Sequence, residues 1–479
     1  MIFRIALSDH QHLDVPAGTN LLDALRQAGF AADAPCGGHG TCGKCSVCVN
    51  GKEVLACQTV VNQDMTVKLP GSGDAFILTS GIAVQGGNAE GYLLAFDIGT
   101  TTVAGFLLDG SGTELACESR ENPQRTYGAD VINRIQYALR TDGEIQTKMI
   151  RDCLTEMIAV LCQKSGVKES QIRTISIVGN PAMQQLFLGI CPENLARLPF
   201  APVLTEMREV PARDYLPCLQ NAGLLIVPDV SGFVGADTVA CMLATGLGQQ
   251  EDWTLLVDIG TNGEMVLGNK DRIVACSTAA GPALEGANIS CGMRGQVGAI
   301  DHVRLVKGDM ECTVIGGGKA VGICGSGLID VAAEALELGL INFRGRVQTE
   351  DRKIPLTDGI VLTQDDIRQL QLAKGAIAAG IQLMAAHLGI ELNTIRRVYL
   401  AGAFGTFMNP VSACRIGLLP KALEGKTVAV GNAAGSGAKL LACDENGAVT
   451  VAQLLEKTEY LELANLPDFQ LCFVENMRF

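Results

Sequence analysis

The densest group of reactive side chains in the sequence is a run of five cysteines, Cys36, Cys42, Cys45, Cys48 and Cys57. The spacing Cys36-x5-Cys42-x2-Cys45, followed by Cys57, is close to the plant-type [2Fe–2S] pattern of C-x4-C-x2-C and a distant cysteine. Glycines between the first three cysteines let the backbone approach a cluster closely and point N–H groups at its sulfur atoms. We therefore predict Cys36, Cys42, Cys45 and Cys57 as the four cluster ligands.

Two alternatives concern the same segment. Cys45 and Cys48 also form a C-x2-C pair, so Cys48 is an alternative ligand. Its position on the following strand favours the interpretation that it does not bind the cluster. A zinc site is disfavoured, because structural zinc sites usually combine two C-x2-C pairs or add histidines. We interpret His39, which lies in the loop, as a surface residue.

A second pattern occurs twice, since LLAFDIGTTT (93–102) and TLLVDIGTNG (254–263) each run from an apolar strand into an Asp-Ile-Gly-Thr turn. Glycine permits the tight turn, threonine hydroxyls and backbone N–H groups suit phosphate oxygens, and aspartate suits Mg²⁺ or its waters. One copy is weak evidence, but two copies indicate duplicated domains facing one nucleotide cleft. The predicted phosphate-binding residues are Gly99, Thr100, Thr101, Thr102, Gly260, Thr261, Asn262 and Gly263, and Asp97 and Asp258 are predicted to be catalytic.

Further residues are expected to complete this cleft. The turn Gly402-Ala403-Phe404-Gly405 after the strand RVYLA suits close approach to adenosine, and Glu285 in PALEG is the third predicted catalytic residue. Asp237 in GADT is a further candidate general base. Gly-rich turns at 316–318, 325–327 and 435–437 are weaker candidates, because each is also typical of a helix cap. There is no GxxxxGK[ST] motif and no GxGxxG after the first strand, which disfavours P-loop and Rossmann sites.

The elements that must position these residues divide the 479-residue chain into three domains and a linker. Residues 1–75 are predicted to form a β-grasp domain, with a helix that begins at the cap Asn20 and stops at Gly29. Residues 76–91 form a Gly-rich linker. From Tyr92 onward strands alternate with helical patterns, so we predict α/β domains over 92–250 and 251–479.

Composition excludes several classes of function. With 37 Lys and Arg against 51 Asp and Glu, the net charge of −14 disfavours a general nucleic-acid binder or a binder of anionic membranes. Aromatic residues make up 4%, which disfavours a base-stacking platform. The sequence has neither an apolar run of membrane-spanning length nor the pattern of a signal peptide, so we expect a cytoplasmic protein with reduced thiols.

The paired motifs resemble those of the superfamily of acetate and sugar kinases, heat-shock chaperones and actin. The resemblance implies two ribonuclease H-like domains that bind ATP in the cleft between them and close on it. It also implies that Asp97 and Asp258 lie near Mg²⁺, that the hairpin threonines and Asn262 lie near the phosphates, and that residues 402–405 contact adenosine.

Further segments resemble the reductive activators of corrinoid proteins over essentially the whole chain. These segments are GNPAMQQLFLG (179–189), GFVGADTVA (232–240), AAGPALEGANISCGMRG (279–295), GICGSGLID (322–330) and GNAAGSGA (431–438). The resemblance implies an ATP-hydrolysing iron–sulfur reductase, independent of flavin, that reduces cob(II)alamin to cob(I)alamin in a methyltransferase system. The expected partners are a corrinoid protein and an upstream electron donor, and a homodimer stays open. Longer members carry a middle domain, and the short segment 70–91 leads us to expect its absence here.

Alternative functions stay open. A small-molecule kinase of the same fold with a redox-sensing ferredoxin domain would need a general base, for which Asp237 and Glu285 are candidates. A non-enzymatic electron carrier would reduce its partner without ATP. Activators of 2-hydroxyacyl dehydratases share the fold but lack a fused ferredoxin, so they are disfavoured.

Overall fold

The structure is a computed structural model that describes residues 2–7, 12–28, 45–68, 78–84, 87, 89–128 and 130–479. Four of the residues singled out above, Gly29, Cys36, His39 and Cys42, lie outside the described residues. None of the helices in the described ranges combines the length and the apolar character that crossing a membrane requires.

In its described residues, the N-terminal domain has a five-stranded mixed sheet in the order β2-β1-β5-β3-β4 and one α-helix, as predicted for a β-grasp fold. Its elements are β1 (Ile2–Leu7), β2 (His12–Pro16), α1 (Leu21–Gln27), β3 (Ser46–Val49), β4 (Lys52–Leu55) and β5 (Met65–Lys68). The side chain of Asn20 accepts a hydrogen bond from the Leu22 N–H, which confirms the predicted helix cap. A separate hydrophobic core, including Ile5, Leu25 and Val67, lies between α1 and the sheet.

The first α/β unit, which we call lobe I, contains a six-stranded sheet in the order β10-β11-β9-β6-β7-β8. Its elements are β6 (Tyr92–Ile98), β7 (Thr102–Asp109), β8 (Glu114–Glu121), α2 (Val131–Thr141), α3 (Glu144–Ser165), β9 (Ile172–Gly179), α4 (Pro181–Leu188), β10 (Arg208–Pro211), β11 (Gly223–Ile226) and α5 (Ala236–Thr245).

The second unit, lobe II, contains a six-stranded sheet in the order β21-β20-β12-β13-β14-β22 and two small sheets. Its strands are β12 (Thr254–Ile259), β13 (Gly263–Gly268), β14 (Ile273–Thr278), β15 (Ala299–Val306), β16 (Asp309–Val314), β17 (Gly322–Ile323), β18 (Lys353–Pro355), β19 (Val361–Thr363), β20 (Arg397–Ala401), β21 (Thr427–Gly431) and β22 (Thr458–Tyr460). Its helices are α6 (Gly325–Glu337), α7 (Gln364–Leu388), α8 (Gly402–Phe407), α9 (Pro410–Arg415), α10 (Ala433–Cys443), α11 (Gly447–Lys457) and α12 (Phe469–Asn476).

The two large sheets repeat one topology. In lobe I, β6, β7 and β8 form an antiparallel meander, and β9 and β11 extend it in parallel from β6. In lobe II, β12, β13 and β14 form the same meander, and β20 and β21 extend it in parallel from β12. The sequence repeat is therefore a repeat of structure, and each Asp-Ile-Gly-Thr motif lies at the first turn of its meander.

Helices α5 and α10 lie between the two sheets. Along β6, Leu93 and Ala95 contribute to the core around α5 and α10, whereas Leu94 and Phe96 contribute to the outer core of lobe I. Leu256 of β12 belongs to that same central core, which therefore contains residues of both lobes. Successive side chains of β6 thus alternate between the two cores, as expected of a strand that is buried on both faces.

Candidate functional site

The first candidate phosphate hairpin is the tight turn between β6 and β7. Asp97 is the next-to-last residue of β6 and Thr102 is the first of β7, so Gly99, Thr100 and Thr101 form the turn. A Cβ atom on Gly99 would lie 2.9 Å from the carbonyl oxygen of Thr102, closer than real Cβ atoms approach. The turn therefore needs glycine at this position, and it keeps the threonines beside Asp97.

Three side chains from distant segments hold this hairpin in place. Asn122 Nδ2 donates to the Gly99 carbonyl oxygen at 2.8 Å, and the Arg134 guanidinium donates to the Thr100 carbonyl oxygen. Asn180 Nδ2 donates to the Thr100 hydroxyl at 3.0 Å. Asn122 and Arg134 are fully buried, so these bonds also satisfy groups that would be costly to bury unpaired. The hairpin is thus preorganised by residues that the sequence analysis missed.

The second hairpin joins β12 to β13. Asp258 is the next-to-last residue of β12, and the turn 260–262 leads into Gly263, the first residue of β13. Thr261 Oγ1 donates to Glu285 Oε1 at 2.7 Å. Glu285 is the last residue of a short 3₁₀ helix, Pro282–Glu285. The structure therefore brings Glu285 directly to the hairpin.

The predicted adenosine turn lies next to the second hairpin. Strand β20 pairs with β12 so that Ala401 stands opposite Asp258, and α8 begins at the following residue, Gly402. Gly402 has a φ of 75°, and a Cβ atom there would lie 2.8 Å from Asp258 Oδ1. Only glycine suits both conditions. Residues 402–405, which were predicted as a turn, form the start of α8, and Gly402 lies close against the second aspartate.

Four carboxylates from both lobes, Asp97, Asp237, Asp258 and Glu264, lie close enough to affect one another. Burial raises the pKa of Asp97 to about 7, and the charge of Asp237 adds to the shift. Burial also raises the pKa of Asp237 to about 7 and that of Asp258 to about 6. Burial and then the charges of Asp237 and Asp258 raise the pKa of Glu264 well above its usual range. Desolvated carboxylates that repel one another suit a divalent cation with oxygen ligands, such as Mg²⁺.

Glu264 is a residue that the sequence analysis did not single out. It stands directly opposite Asp258 in the antiparallel register of β12 and β13. The signal was present, because a hairpin with the turn 260–262 pairs the residues on its two sides in a fixed register. Applying that register to the Asp-Ile-Gly-Thr-Asn-Gly-Glu segment would have found Glu264.

Asn432 joins the linker, helix α10 and the first aspartate. Its Oδ1 accepts from the Gly435 N–H at 2.6 Å as the α10 cap, and its Nδ2 donates to Asp97 Oδ2 at 3.0 Å. Its backbone N–H donates to the Ser80 carbonyl oxygen at 2.8 Å, and its Nδ2 also lies 3.5 Å from the Leu78 carbonyl oxygen. The first part of the linker is therefore attached beside the candidate nucleotide cleft.

Two of the weaker glycine candidates are helical, because residues 325–327 begin α6 and residues 435–437 lie within α10. Residues 435–437 lie inside α10, and a Cβ atom on Gly437 would lie 2.0 Å from the Ala240 carbonyl oxygen of α5. The expectation of a Gly-rich nucleotide turn at 435–437 is therefore wrong. These glycines allow close helix packing between the lobes.

In the cluster segment, the structure brings two of the predicted ligands together. Cys45 Sγ and Cys57 Sγ lie 3.2 Å apart, much longer than the disulfide bond of about 2.05 Å. Cys45 and Val47 are both buried in the domain core, so the alternation of β3 places Cys48 on the opposite face. The described geometry thus groups Cys45 with Cys57 and separates Cys48 from them.

The ferredoxin domain contacts lobe I near the first hairpin. The Arg26 side chain of α1 is 9% exposed, and it lies near Tyr127 and Tyr137 of lobe I. The two tyrosine rings pack with centroids 4.4 Å apart. Tyr137 belongs to α2, the helix that also carries Arg134. One helix therefore contacts both the ferredoxin domain and the phosphate hairpin.

Protein-family models match most of the chain. A 2Fe-2S iron–sulfur cluster binding domain matches residues 6–66, and the RACo middle region matches residues 92–250. The C-terminal domain of RACo, the ASKHA domain, matches residues 252–479. The middle-region match shows that our expectation of a missing middle domain was wrong, because lobe I is the segment that this model describes.

Individual relatives agree with these models. The chain is 36% identical over 419 residues to the corrinoid activation enzyme RamQ of Eubacterium limosum, covering 81% of this chain and 70% of that protein. It is 28% identical to the [Co(II) methylated amine-specific corrinoid protein] reductase of Methanosarcina barkeri, covering 80% of this chain and 76% of that protein.

A solved structure of a reductive activator for corrinoid, iron–sulfur protein superposes with a TM-score of 0.71 at 30% identity. The match covers 100% of this chain and 98% of that one. The fused ferredoxin, the duplicated lobes and these matches lead to one assignment: the chain belongs to the family of reductive activators of corrinoid proteins.

Proposed function

We propose that this protein uses ATP to drive one-electron reduction of a corrinoid protein, converting its cob(II)alamin to cob(I)alamin in a methyltransferase system. The observation that carries the proposal is that the acidic two-lobed cleft and the Cys45–Cys57 pair occur in one chain, with the linker between them bonded to Asn432 beside Asp97. The relatives named as an activation enzyme and a reductase of corrinoid proteins support the same chemistry.

In the ferredoxin domain, Cys45 and Cys57 would hold one end of a [2Fe–2S] cluster, with Cys36 and Cys42 as the remaining ligands. A tetrahedral metal ion with bonds of about 2.3 Å to sulfur holds two thiolates roughly 4 Å apart, so the described pair fits a shared iron after a small adjustment. When bound, such a cluster supplies single electrons at a potential near −400 mV.

In the cleft, Asp97, Asp237, Asp258 and Glu264 would bind Mg²⁺ or its waters, and the two hairpins would bind the phosphates through backbone N–H groups and threonine hydroxyls. Glu285, held by Thr261, would orient the attacking water. Residues 402–405 would contact adenosine. Closure of the lobes on ATP would favour one state of the corrinoid partner and thereby shift an unfavourable reduction.

We place this reaction in the cytoplasm, because none of the cysteines within the described ranges forms a disulfide. The upstream donor would be a low-potential one-electron reductant, since the cluster accepts one electron at a time.

The test mixes the reduced protein with a cob(II)alamin-loaded corrinoid protein and follows the visible spectrum with and without MgATP. We expect conversion to cob(I)alamin only with MgATP, and a loss of about 100-fold in rate for Asp258→Asn, because a neutral amide lacks the negative charge with which a carboxylate holds a divalent cation. The Asp258→Asn protein should keep its cluster spectrum. A reduction rate that is independent of ATP would favour the plain electron carrier, and a phosphorylated small molecule would favour the kinase.

The cluster assignment has its own matched pair of variants. Cys57→Ser should change the optical and paramagnetic spectrum of the cluster and abolish reduction, whereas Cys48→Ser should leave both unchanged. Equal loss of cluster in the two variants would contradict the grouping of Cys45 with Cys57.

A further inference from the structure

A cavity in lobe II, far along the chain from the nucleotide hairpins, is lined by four arginines. It has a volume of about 460 Å³, and its lining includes Arg344, Arg346, Arg352 and Arg368 together with Gln364 and Gln371. This volume lies within the range of small-molecule sites. In a chain with a net charge of −14, such a concentration of guanidinium groups needs an explanation.

The positive charge of the cavity is poorly neutralised. Among the described residues, Arg344, Arg346 and Arg352 form no salt bridge, and Arg368 pairs with Asp365 at 2.9 Å. Two other carboxylates, Glu350 and Asp351, lie on the same segment of chain but do not line the cavity. The cavity therefore presents more positive than negative charge to a ligand.

The loop that carries two of these arginines has a fixed backbone. Gln364 Nε2 donates to the Gly345 carbonyl oxygen at 2.8 Å, and Gln364 Oε1 accepts from the Val347 N–H at 2.9 Å. Gln371 Nε2 donates to the Arg344 carbonyl oxygen at 3.1 Å. The two amides are thus occupied with the backbone, so recognition in the cavity would rest on the guanidinium groups.

Gly345 confirms how closely the loop is held. Its φ is 77°, and a Cβ atom there would lie 2.3 Å from the amide of Gln371. Asn342 Oδ1 accepts from the N–H groups of both Arg344 and Arg346 at 3.0 Å. The loop therefore projects Arg344 and Arg346 from a preorganised turn, which lowers the entropy that a ligand must overcome.

We propose that this cavity binds a small polyanion of the phosphate class, one that carries at least two phosphate groups. Planar guanidinium groups bind phosphate oxygens in bidentate pairs, and several arginines converging on one cavity match several phosphates better than one carboxylate. The cavity is open to solvent on one side, and its volume suits a small molecule.

The experiment titrates inorganic pyrophosphate into the full-length protein by calorimetry in metal-free buffer. Without Mg²⁺ the acidic nucleotide cleft repels pyrophosphate, so the arginine cavity is measured alone. We expect one site whose affinity falls steeply with added salt. The double variant Arg344→Gln/Arg346→Gln should lose at least about ten-fold in affinity, since each substitution removes a charge-assisted contact.

Controls separate the cavity from general charge and from misfolding. Arg304→Gln removes an exposed arginine of lobe II that pairs with Glu311 and should leave pyrophosphate affinity unchanged. Both arginines of the double variant are exposed, and circular dichroism should show an unchanged fold. Absence of binding, or equal affinity in the double variant, would overturn the proposal. It would also be overturned if a glutamate-rich peptide bound there and pyrophosphate did not, because the surface would then recognise polypeptide.

Discussion

At the scale of single residues, the cleft depends on carboxylates that repel one another until a cation binds. Asp97 and Asp237 have pKa values raised to about 7, and Asp258 to about 6, mainly because each is buried. Folding alone does not stabilise these charges. In the metal-free protein the folded state binds more protons than the unfolded chain, so the free energy of unfolding falls as pH rises from about 4 toward 7.

Binding of Mg²⁺-nucleotide should have the opposite pH dependence. The cation needs deprotonated carboxylates, so its binding releases protons, and affinity should fall as pH drops from about 8 to about 6. The fall should approach ten-fold per pH unit for each proton released. Calorimetry of MgADP binding in buffers of different ionisation enthalpy measures both the affinity and the released protons. Asp97→Asn removes one titrating group and should flatten the curve, and a wild-type curve that is already flat would contradict the argument.

The residues of the cleft divide into those that a sequence motif reveals and those that only the fold brings there. Asp97 and Asp258 were found because each follows an apolar strand in a repeated motif. Asn122, Arg134 and Asn180 were not, because the atoms to which they donate, two backbone carbonyl oxygens and the Thr100 hydroxyl, lie 23 to 80 positions away. No local pattern of residue types encodes a hydrogen bond of that range.

At the scale of secondary-structure elements, α10 begins where three parts of the molecule meet. Asn432→Ala removes the cap of α10, which should cost about 1 kcal/mol of stability. It also removes the donor to Asp97, whose pKa this bond lowers, so the pKa of Asp97 should rise above about 7. Nucleotide affinity should weaken and its pH dependence should move to higher pH, as measured by thermal unfolding and by the titration above.

A matched cap residue separates these effects from helix stability in general. Asn446 occupies the cap position of α11, but its side chain forms no cap hydrogen bond. Asn446→Ala should therefore leave both stability and nucleotide affinity nearly unchanged. If the two variants behaved alike, Asn432 would have no special role in the cleft.

Helix α7 anchors the C-terminal helix through a buried lysine. Lys374 Nζ donates to the carbonyl oxygens of Asn476 and Arg478, and burial lowers its pKa to about 8. Lys374→Met keeps the side-chain volume but leaves both carbonyl groups without their donor, which should cost about 2–3 kcal/mol. Amide hydrogen exchange should accelerate in α12, whereas the exposed Lys421→Met should show no change. Unchanged exchange in α12 would contradict this anchoring role.

Elements with local signals were predicted better than elements whose glycines serve tertiary packing. The cap at Asn20 and the strands around each Asp-Ile-Gly-Thr motif follow from capping chemistry and apolar runs, and the structure confirms them. Residues 435–437 were predicted as a turn because two glycines flank a serine. They are helical because the missing side chains let α10 approach α5, and that reason lies in another segment of the chain.

At the scale of the whole molecule, the two lobes share one hydrophobic core and do not meet at a hydrated interface. The core around α5 and α10 contains Phe106 of β7 and Val266 of β13, which belong to different sheets. A shared apolar core resists separation of the lobes, so any closure on ATP must proceed by small movements of α5 against α10. We therefore expect the close contact of these helices to influence both stability and the response to nucleotide.

Gly437→Ala tests that contact, because helix propensity and packing predict opposite signs. In an unpacked helix this change would stabilise by up to about 1 kcal/mol. Here the new methyl group would lie 2.0 Å from the Ala240 carbonyl oxygen, so the helices must separate, and we expect a net loss of about 2–3 kcal/mol and weaker MgATP binding. Gly380→Ala in α7 is the matched control, since its new methyl group meets the flexible end of Met265 and should cost little. Thermal unfolding and nucleotide titration of both variants measure the difference, and a stabilised Gly437→Ala protein would show that the lobes are not held by this helix pair.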